Sequence, residues 1–190
     1  MIERIIFDWK VLNETLRQKI IEIDKFINNE SISRLINFLI IAEDRRYKYH
    51  IGFDLIAIIR AVVHNTFYNK REGASTIEQQ LVRVIINDYR YSYLRKLKEI
   101  LLAISLMFIG GKRQLALVYL DIAYYGTGYT SLDLILQKFG LNKYSMIPDE
   151  VCAEIVSRIK YPEDRNKSFK RMKQIENRKR YLLQLNKQSK

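Results

Sequence analysis

The chain holds one cysteine, two prolines, seven glycines and two histidines in 190 residues. The lone cysteine, Cys152, lies in an apolar helical stretch, which excludes an internal disulfide and a thiolate metal cluster. Neither His50 nor His64 has the partners that a zinc site needs. With so little proline and glycine, and with charge interrupting long segments at helical rather than alternating spacing, no substantial sheet is expected and the fold class is mainly α. Long hydrophobic runs are missing too. The stretch 100–109 is too short to cross a bilayer, and the start, MIERIIFDWK, lacks the basic and apolar regions of a secretion signal. Acid is in deficit: 33 Lys and Arg stand against 21 Asp and Glu, a formal net charge of +12. That balance favours an anionic partner, whether a phosphoglycan, an acidic lipid surface or nucleic acid, and does not choose among them.

What is present suits one domain over residues 1–190, with an N-terminal helical extension over 1–30 and a basic C-terminal helix over 165–190. The stretch of greatest chemical interest is GASTIEQQLVR, residues 73–83. Ser75 followed three residues later by Glu78 reads as a capping box, so a helix is expected to start there. Ile77, Leu81, Val84 and Ile85 then form an apolar stripe, while Thr76, Gln80 and Arg83 share another face with Gln79 beside them. A polar face next to the positive end of a helix suits a phosphorylated or hydroxyl-rich ligand; an ordinary capped surface helix carries the same signature.

Two carboxylates stand where apolar helices meet charge. Glu43 follows a hydrophobic helix running from about Ser33 and opens the segment EDRRYKYHIGFD. At such an edge a carboxylate is partly desolvated and becomes a better proton acceptor, provided that a cation keeps it ionised. Asp44 is expected to pair with Arg45, Arg46 or another nearby cation, and Asp54 to favour the first turn of the next helix, which starts at Leu55. His50 reads as a hydrogen-bonded structural histidine. Glu99 sits one helical turn from Arg95, at the entry of a segment apolar all round and so expected to be buried; a surface pair between the two is the competing reading. The polar stretch 68–72 reads as a mobile basic connection able to close over an anion, or as a plain linker. In the C-terminal helix, Arg178, Lys179 and Arg180 are placed to face a membrane, a phosphate or solvent.

The order of these segments resembles the peptidoglycan glycosyltransferase (transglycosylase) family. EDRRYKYHIGFD is similar to its first motif, E-D-x-x-F-x-x-H-x-G-x-D; IIRAVVHN to the following R-A-x-x-x-N; GASTIEQQLVR to G-[GA]-S-T-[IL]-T-Q-Q-L-x-K; and RKLKE to R-K-x-x-E. Departures are Tyr47 for the usual Phe, Glu78 for Thr, Arg83 for Lys, Met107 at a commonly acidic position, and Leu117 and Asp121 where I-L-E-x-Y-L-N has Glu and Asn. The C-terminal RKRYLL matches the fifth motif only loosely.

The resemblance implies a lysozyme-like, mainly helical fold that polymerises a lipid-pyrophosphate-linked disaccharide, lipid II or a related precursor, with inversion. It implies Glu43 as the general base. It also implies Glu99 as the second carboxylate, positioning the pyrophosphate directly or through a divalent cation, Mg or Mn. Ser75, Gln80, Arg83, Arg95 and Lys96 match positions lining the donor and phosphate region, and Asp44 and His50 match first-motif support; Thr76 and Gln79 complete the polar row. The implied partners are the lipid-linked glycan, an anionic membrane surface and a membrane-anchoring protein. The implied location is peripheral, on the outer face of the bacterial cytoplasmic membrane. Three alternatives stand beside this reading: a catalytically altered lipid-linked-glycan binding module, a lysozyme-like hydrolase using two carboxylates, and a nucleic-acid binder. No nucleic-acid motif accompanies the tyrosines beside Arg90 and Arg95, so nucleic acid is not expected as a partner.

Overall fold

The computed structural model describes residues 2–67, 73–166 and 168–188, and the expected polar connection 68–72 lies outside them. Described residues form nine α-helices: α1 (Ile2–Ile23), α2 (Glu30–Glu43), α3 (Leu55–Phe67), α4 (Ile77–Ile86), α5 (Tyr93–Leu106), α6 (Lys112–Ile122), α7 (Leu132–Lys138), α8 (Asp149–Lys160) and α9 (Phe169–Gln188). Extended pairing among them is limited to isolated bridges from Gly126 to Tyr129 and to Glu163. The mainly helical class therefore holds, for the reason anticipated: helical periodicity with few breakers.

Helix α6 is the axis of the packing. Leu115 to Asp121 are buried without interruption, and α1, α2, α4 and α7 all lie against it. Leu12 and Leu16 of α1, Leu35 and Leu39 of α2, and Ile77 and Leu81 of α4 are fully buried around it. Leu117, at the position where the resembling family has Glu, is 1% exposed and belongs to this core. Met107, at the commonly acidic position, packs against the same core. Neither position carries an acid here, because each serves apolar packing.

Local chemistry moves several expected boundaries. Helix α2 begins at Glu30 rather than near Ser33, because the Asn29 side chain accepts from the backbone N–H groups of Ser31 and Ile32 at 2.8 and 3.2 Å. Helix α4 is capped by Thr76, whose Oγ1 accepts from Gln79 N–H at 3.3 Å. The expected box of Ser75 and Glu78 does not form; Ser75 lies one residue outside the cap, and Glu78 is drawn to a lysine. Asp54 caps α3 as its acidity suggested, its Oδ1 accepting from Ala57 N–H at 3.1 Å. In α5 the expectation of all-round burial is corrected. Leu102, Ala103 and Leu106 face the core, while Leu97 and Leu101 are about half exposed. Among the described residues no helix is long and apolar enough to cross a membrane.

One glycine is indispensable to the site. Gly52 adopts φ +100°, and a Cβ there would lie 2.6 Å from the carbonyl oxygen of Ala103 in α5. The loop after α2 can therefore press onto α5 only with glycine at this position.

Candidate active site

Glu43 is the last residue of α2, so a helix packed into the core delivers it to an edge where its side chain is 14% exposed. Each of its oxygens has one donor in view. Arg178 Nη2, from α9, donates to Oε1 at 2.6 Å and to the Ala42 carbonyl at 3.1 Å. Gln80 Nε2, from α4, donates to Oε2 at 3.3 Å. The orientation of that amide is fixed from behind, because Tyr119 of α6 donates its hydroxyl to Gln80 Oε1 at 2.7 Å. Burial, reinforced by the negative charge of Glu43, pushes the Tyr119 phenol well above its ordinary range, so it stays a donor. Two cavities flank Glu43 and share Ala42, Gly73 and Ser75. One, of about 410 Å³, is lined by Arg45, Arg46, Arg60 and Tyr181; the other, of about 490 Å³, by Gln80, Arg83, Lys160 and Arg178.

Behind Glu43 the first-motif loop is stitched to α4. Asp44 accepts at 3.2 Å from the backbone N–H of Ile77 and faces His50 Nε2 with both oxygens, at 2.9 and 3.1 Å. The Gly52 carbonyl accepts from Thr76 Oγ1 at 2.8 Å and from Gln79 Nε2 at 3.4 Å. Asp44 thus pairs with His50, and it is Asp54 that takes Arg46, at 2.9 Å; the expected pairing of Asp44 with Arg45 or Arg46 is corrected. Arg45 instead donates to the hydroxyl of Tyr181 in α9 at 2.8 Å. Glu78, fully buried, pairs with Lys112 at the start of α6, at 2.7 Å, and Lys112 in turn lies 4.3 Å above the ring of Tyr47. Tyr47 closes the circuit by donating its hydroxyl to the Lys112 carbonyl at 2.8 Å. The changes at Tyr47 and Glu78 are therefore linked through one lysine.

Asp44, His50 and Glu78 bring ligand-type atoms within 4.8 Å of one another. Their donor set does not suit a cation. His50 Nδ1 accepts the Gly52 N–H at 3.3 Å, which leaves the ring proton on Nε2, pointing at Asp44 rather than offering a lone pair. The Lys112 ammonium already supplies positive charge to Glu78.

Glu99, in the first half of α5, is 2% exposed, which rules out a surface pair with Arg95. Four donors reach it. Arg83 forks across both oxygens, Nη2 to Oε1 at 2.9 Å and Nε to Oε2 at 3.1 Å; Lys96 adds a bond of 2.7 Å to Oε1, and Arg95 adds one to Oε2. Lys96 also donates to Ser75 Oγ at 3.0 Å and to the Gln79 side-chain carbonyl. Burial by itself would raise the Glu99 carboxyl, but the hydrogen bonds from Arg83 and Lys96 outweigh it and hold the group below the usual carboxylate range. Lys96 moves the other way. Burial first, then the like charges of Arg83 and Arg95, hold it below an ordinary lysine despite its pair with Glu99.

The fold thus gathers the expected residues into two linked sets. Glu43 and Gln80 stand at the edge. Ser75, Gln79, Arg83, Arg95, Lys96 and Glu99 stand beside it, joined through Ser75 and through the cavity that Arg83 and Glu43 both line. Thr76, Asp44 and His50 hold the loop between them. Sequence reasoning placed Arg178 on an outer face; the structure turns it inward to Glu43, its side chain 11% exposed. Tyr119 and Lys112 were missed altogether. Arg178 opens the RKRYLL segment and Tyr119 stands at the Tyr of the I-L-E-x-Y-L-N segment, so the motifs could have flagged both; Lys112 has no such local signal, and all three reach their partners from distant helices.

A transglycosylase family model matches residues 10–187 of the chain. Penicillin-binding protein 1A of Rickettsia prowazekii is 33% identical over 153 residues, which are 77% of this chain and 19% of that protein. The biosynthetic peptidoglycan transglycosylase of Cronobacter sakazakii is 32% identical over 115 residues, 60% of this chain and 48% of that protein. The corresponding transglycosylase of Haemophilus influenzae is 37% identical over 105 residues, 54% of this chain and 44% of that protein. The chain spans less than half the length of these curated relatives.

Proposed function

This chain belongs to the transglycosylase family, and we propose that it is a peptidoglycan glycosyltransferase that extends a glycan from a lipid-pyrophosphate-linked disaccharide such as lipid II. The observation that carries the reading is the cavity of about 490 Å³ lined together by Glu43, Ser75, Gln80 and Arg83. A proton acceptor sharing a cavity with Arg83, behind which Arg95 and Lys96 gather on Glu99, is what glycosyl transfer from a diphosphate requires.

In this reaction the acceptor's sugar hydroxyl attacks the anomeric carbon of the donor chain, and Glu43 takes the hydroxyl proton. The new glycosidic bond forms as the bond from that carbon to the diphosphate oxygen breaks, with inversion. Arg178 supplies the counter-charge beside Glu43 while the Gln80 amide orients it. The bonding electrons depart with the lipid diphosphate, whose growing charge is met by Arg83, Arg95 and Lys96. Arg45, Arg46 and Arg60 line the cavity on the other side of Glu43 and suit the second lipid-linked substrate.

Lipid-linked substrates demand access to a bilayer surface. Helix α3 supports this, exposing Leu55, Ile56, Ile59, Val62 and Phe67 by more than half, as do Leu94 of α5 and Phe108 just beyond it. An apolar face of this kind on a chain of net charge +12 suits apposition to an anionic membrane, the outer face of the cytoplasmic membrane being the location proposed.

The test is polymerisation of labelled lipid II by purified wild-type protein, Glu43→Gln and Glu99→Gln, with products sized by electrophoresis. Long glycans from the wild type alone are expected. Folded wild-type protein that binds lipid II saturably without making product would replace this reading with that of a binding module. Release of reducing ends from finished polymer would replace it with hydrolysis.

A further inference from the structure

We propose that the donor diphosphate is balanced by the fixed cations Arg83, Arg95 and Lys96, and that Arg83 closes Glu99 to a divalent cation. The inference rests on the glycosyltransferase reading and goes beyond it, since the family resemblance allows Glu99 to act through Mg or Mn.

An ionised carboxylate has about four acceptor positions, two on each oxygen. On Glu99 all are taken: Oε1 by Arg83 Nη2 and Lys96 Nζ, Oε2 by Arg83 Nε and Arg95 Nη1. A hard divalent cation binds through carboxylate oxygen, so it would have to displace at least one of these charge-assisted bonds and then sit among three positive side chains. The charge count removes the need for it. Three cations against the single charge of Glu99 leave two positive charges at the cluster. A diphosphate esterified at both ends carries two ionised oxygens. Ser75, already within 3.0 Å of Lys96, adds a hydroxyl facing the same cavity as Arg83.

Arg83 is decisive because of its shape. A guanidinium spans both carboxylate oxygens, whereas the lysine usual at this position in the resembling family is a point charge that reaches one. Lysine at residue 83 would open one position on Glu99 to a metal.

The test is equilibrium binding of a soluble probe, farnesyl-diphosphoryl-N-acetylglucosamine, to wild type and Arg83→Lys, each in EDTA and in excess MnCl2. Wild-type affinity is expected to be the same in both within about twofold, and Arg83→Lys to bind about tenfold more tightly with Mn²⁺ than without. Wild-type binding that is lost in EDTA and restored by Mn²⁺ overturns the proposal while leaving the glycosyltransferase reading intact. The absence of saturable binding by wild type in either condition overturns both. The wild-type comparison needs no variant to fold. For Arg83→Lys, a thermal melt matching wild type separates a lost fold from a lost site, and a folded variant indifferent to Mn²⁺ also counts against the proposal.

Discussion

Glu43 and Glu99 are the same side chain in opposite surroundings, and the surroundings suit them to the different uses proposed. Glu43 stands at a helix end with one donor on each oxygen, a guanidinium and a neutral amide. Glu99 is sunk among three cations, with two donors on each oxygen. A carboxylate with acceptor capacity to spare and a cavity on either side can take a proton. One with every position filled is suited instead to holding the cations around it in place. Number and kind of donor, rather than residue type, separate the proposed base from the proposed anchor.

The sharpest way to break that contrast is at the base. Glu43→Gln keeps the shape and removes the proton acceptor, so the polymerisation rate is expected to fall about a thousandfold, with a smaller loss of stability than at Glu99 because one guanidinium rather than three cations loses its counter-charge. A variant that retains most of its rate would show that the base lies elsewhere. Glu99→Gln should reverse the pattern in stability. Three cations lose their shared counter-charge, and urea titration is expected to show a loss of about 3 kcal/mol. Equal stability losses at the two positions would erase the distinction.

A smaller effect is expected from Tyr119→Phe. Without its hydroxyl the Gln80 amide is free to turn its carbonyl toward Glu43, and the bond that orients that carboxylate is lost. Polymerisation should slow about fivefold, the equivalent of about 1 kcal/mol, through kcat rather than KM. A loss confined to stability, with kcat unchanged, would make Tyr119 a packing residue only.

The mildest expectation concerns acid stability. Glu99, Glu154 and Glu163 are all held below the usual carboxylate range: burial opposes this in each, and bonds from nearby Arg and Lys outweigh it. The folded chain therefore binds fewer protons than the unfolded one. Their stabilisation is fully present above the ordinary carboxylate value of 4.5 and is lost as pH falls through the lowered values. Melting temperature should decline below about pH 4.5, and less steeply in Glu99→Gln, which has already lost its share.

Composition and periodicity by themselves determined the helical class and the placement of most helices, and the family resemblance picked out the motif residues from Glu43 to Glu99. These are local properties: an apolar stripe every three or four residues, a breaker, a charged residue at a helix edge. Capping was legible only in kind, since Ser75 and Thr76 are both good caps and only packing chose Thr76. The tertiary structure alone decided what surrounds each carboxylate. Arg178 lies 135 residues from Glu43, Tyr119 lies 39 from Gln80, and Lys112 lies 34 from Glu78. Proton affinity and ion balance depend on charges within a few ångströms in space, whatever their separation along the chain, so the chemistry of these side chains was set by the helices that fold back onto them.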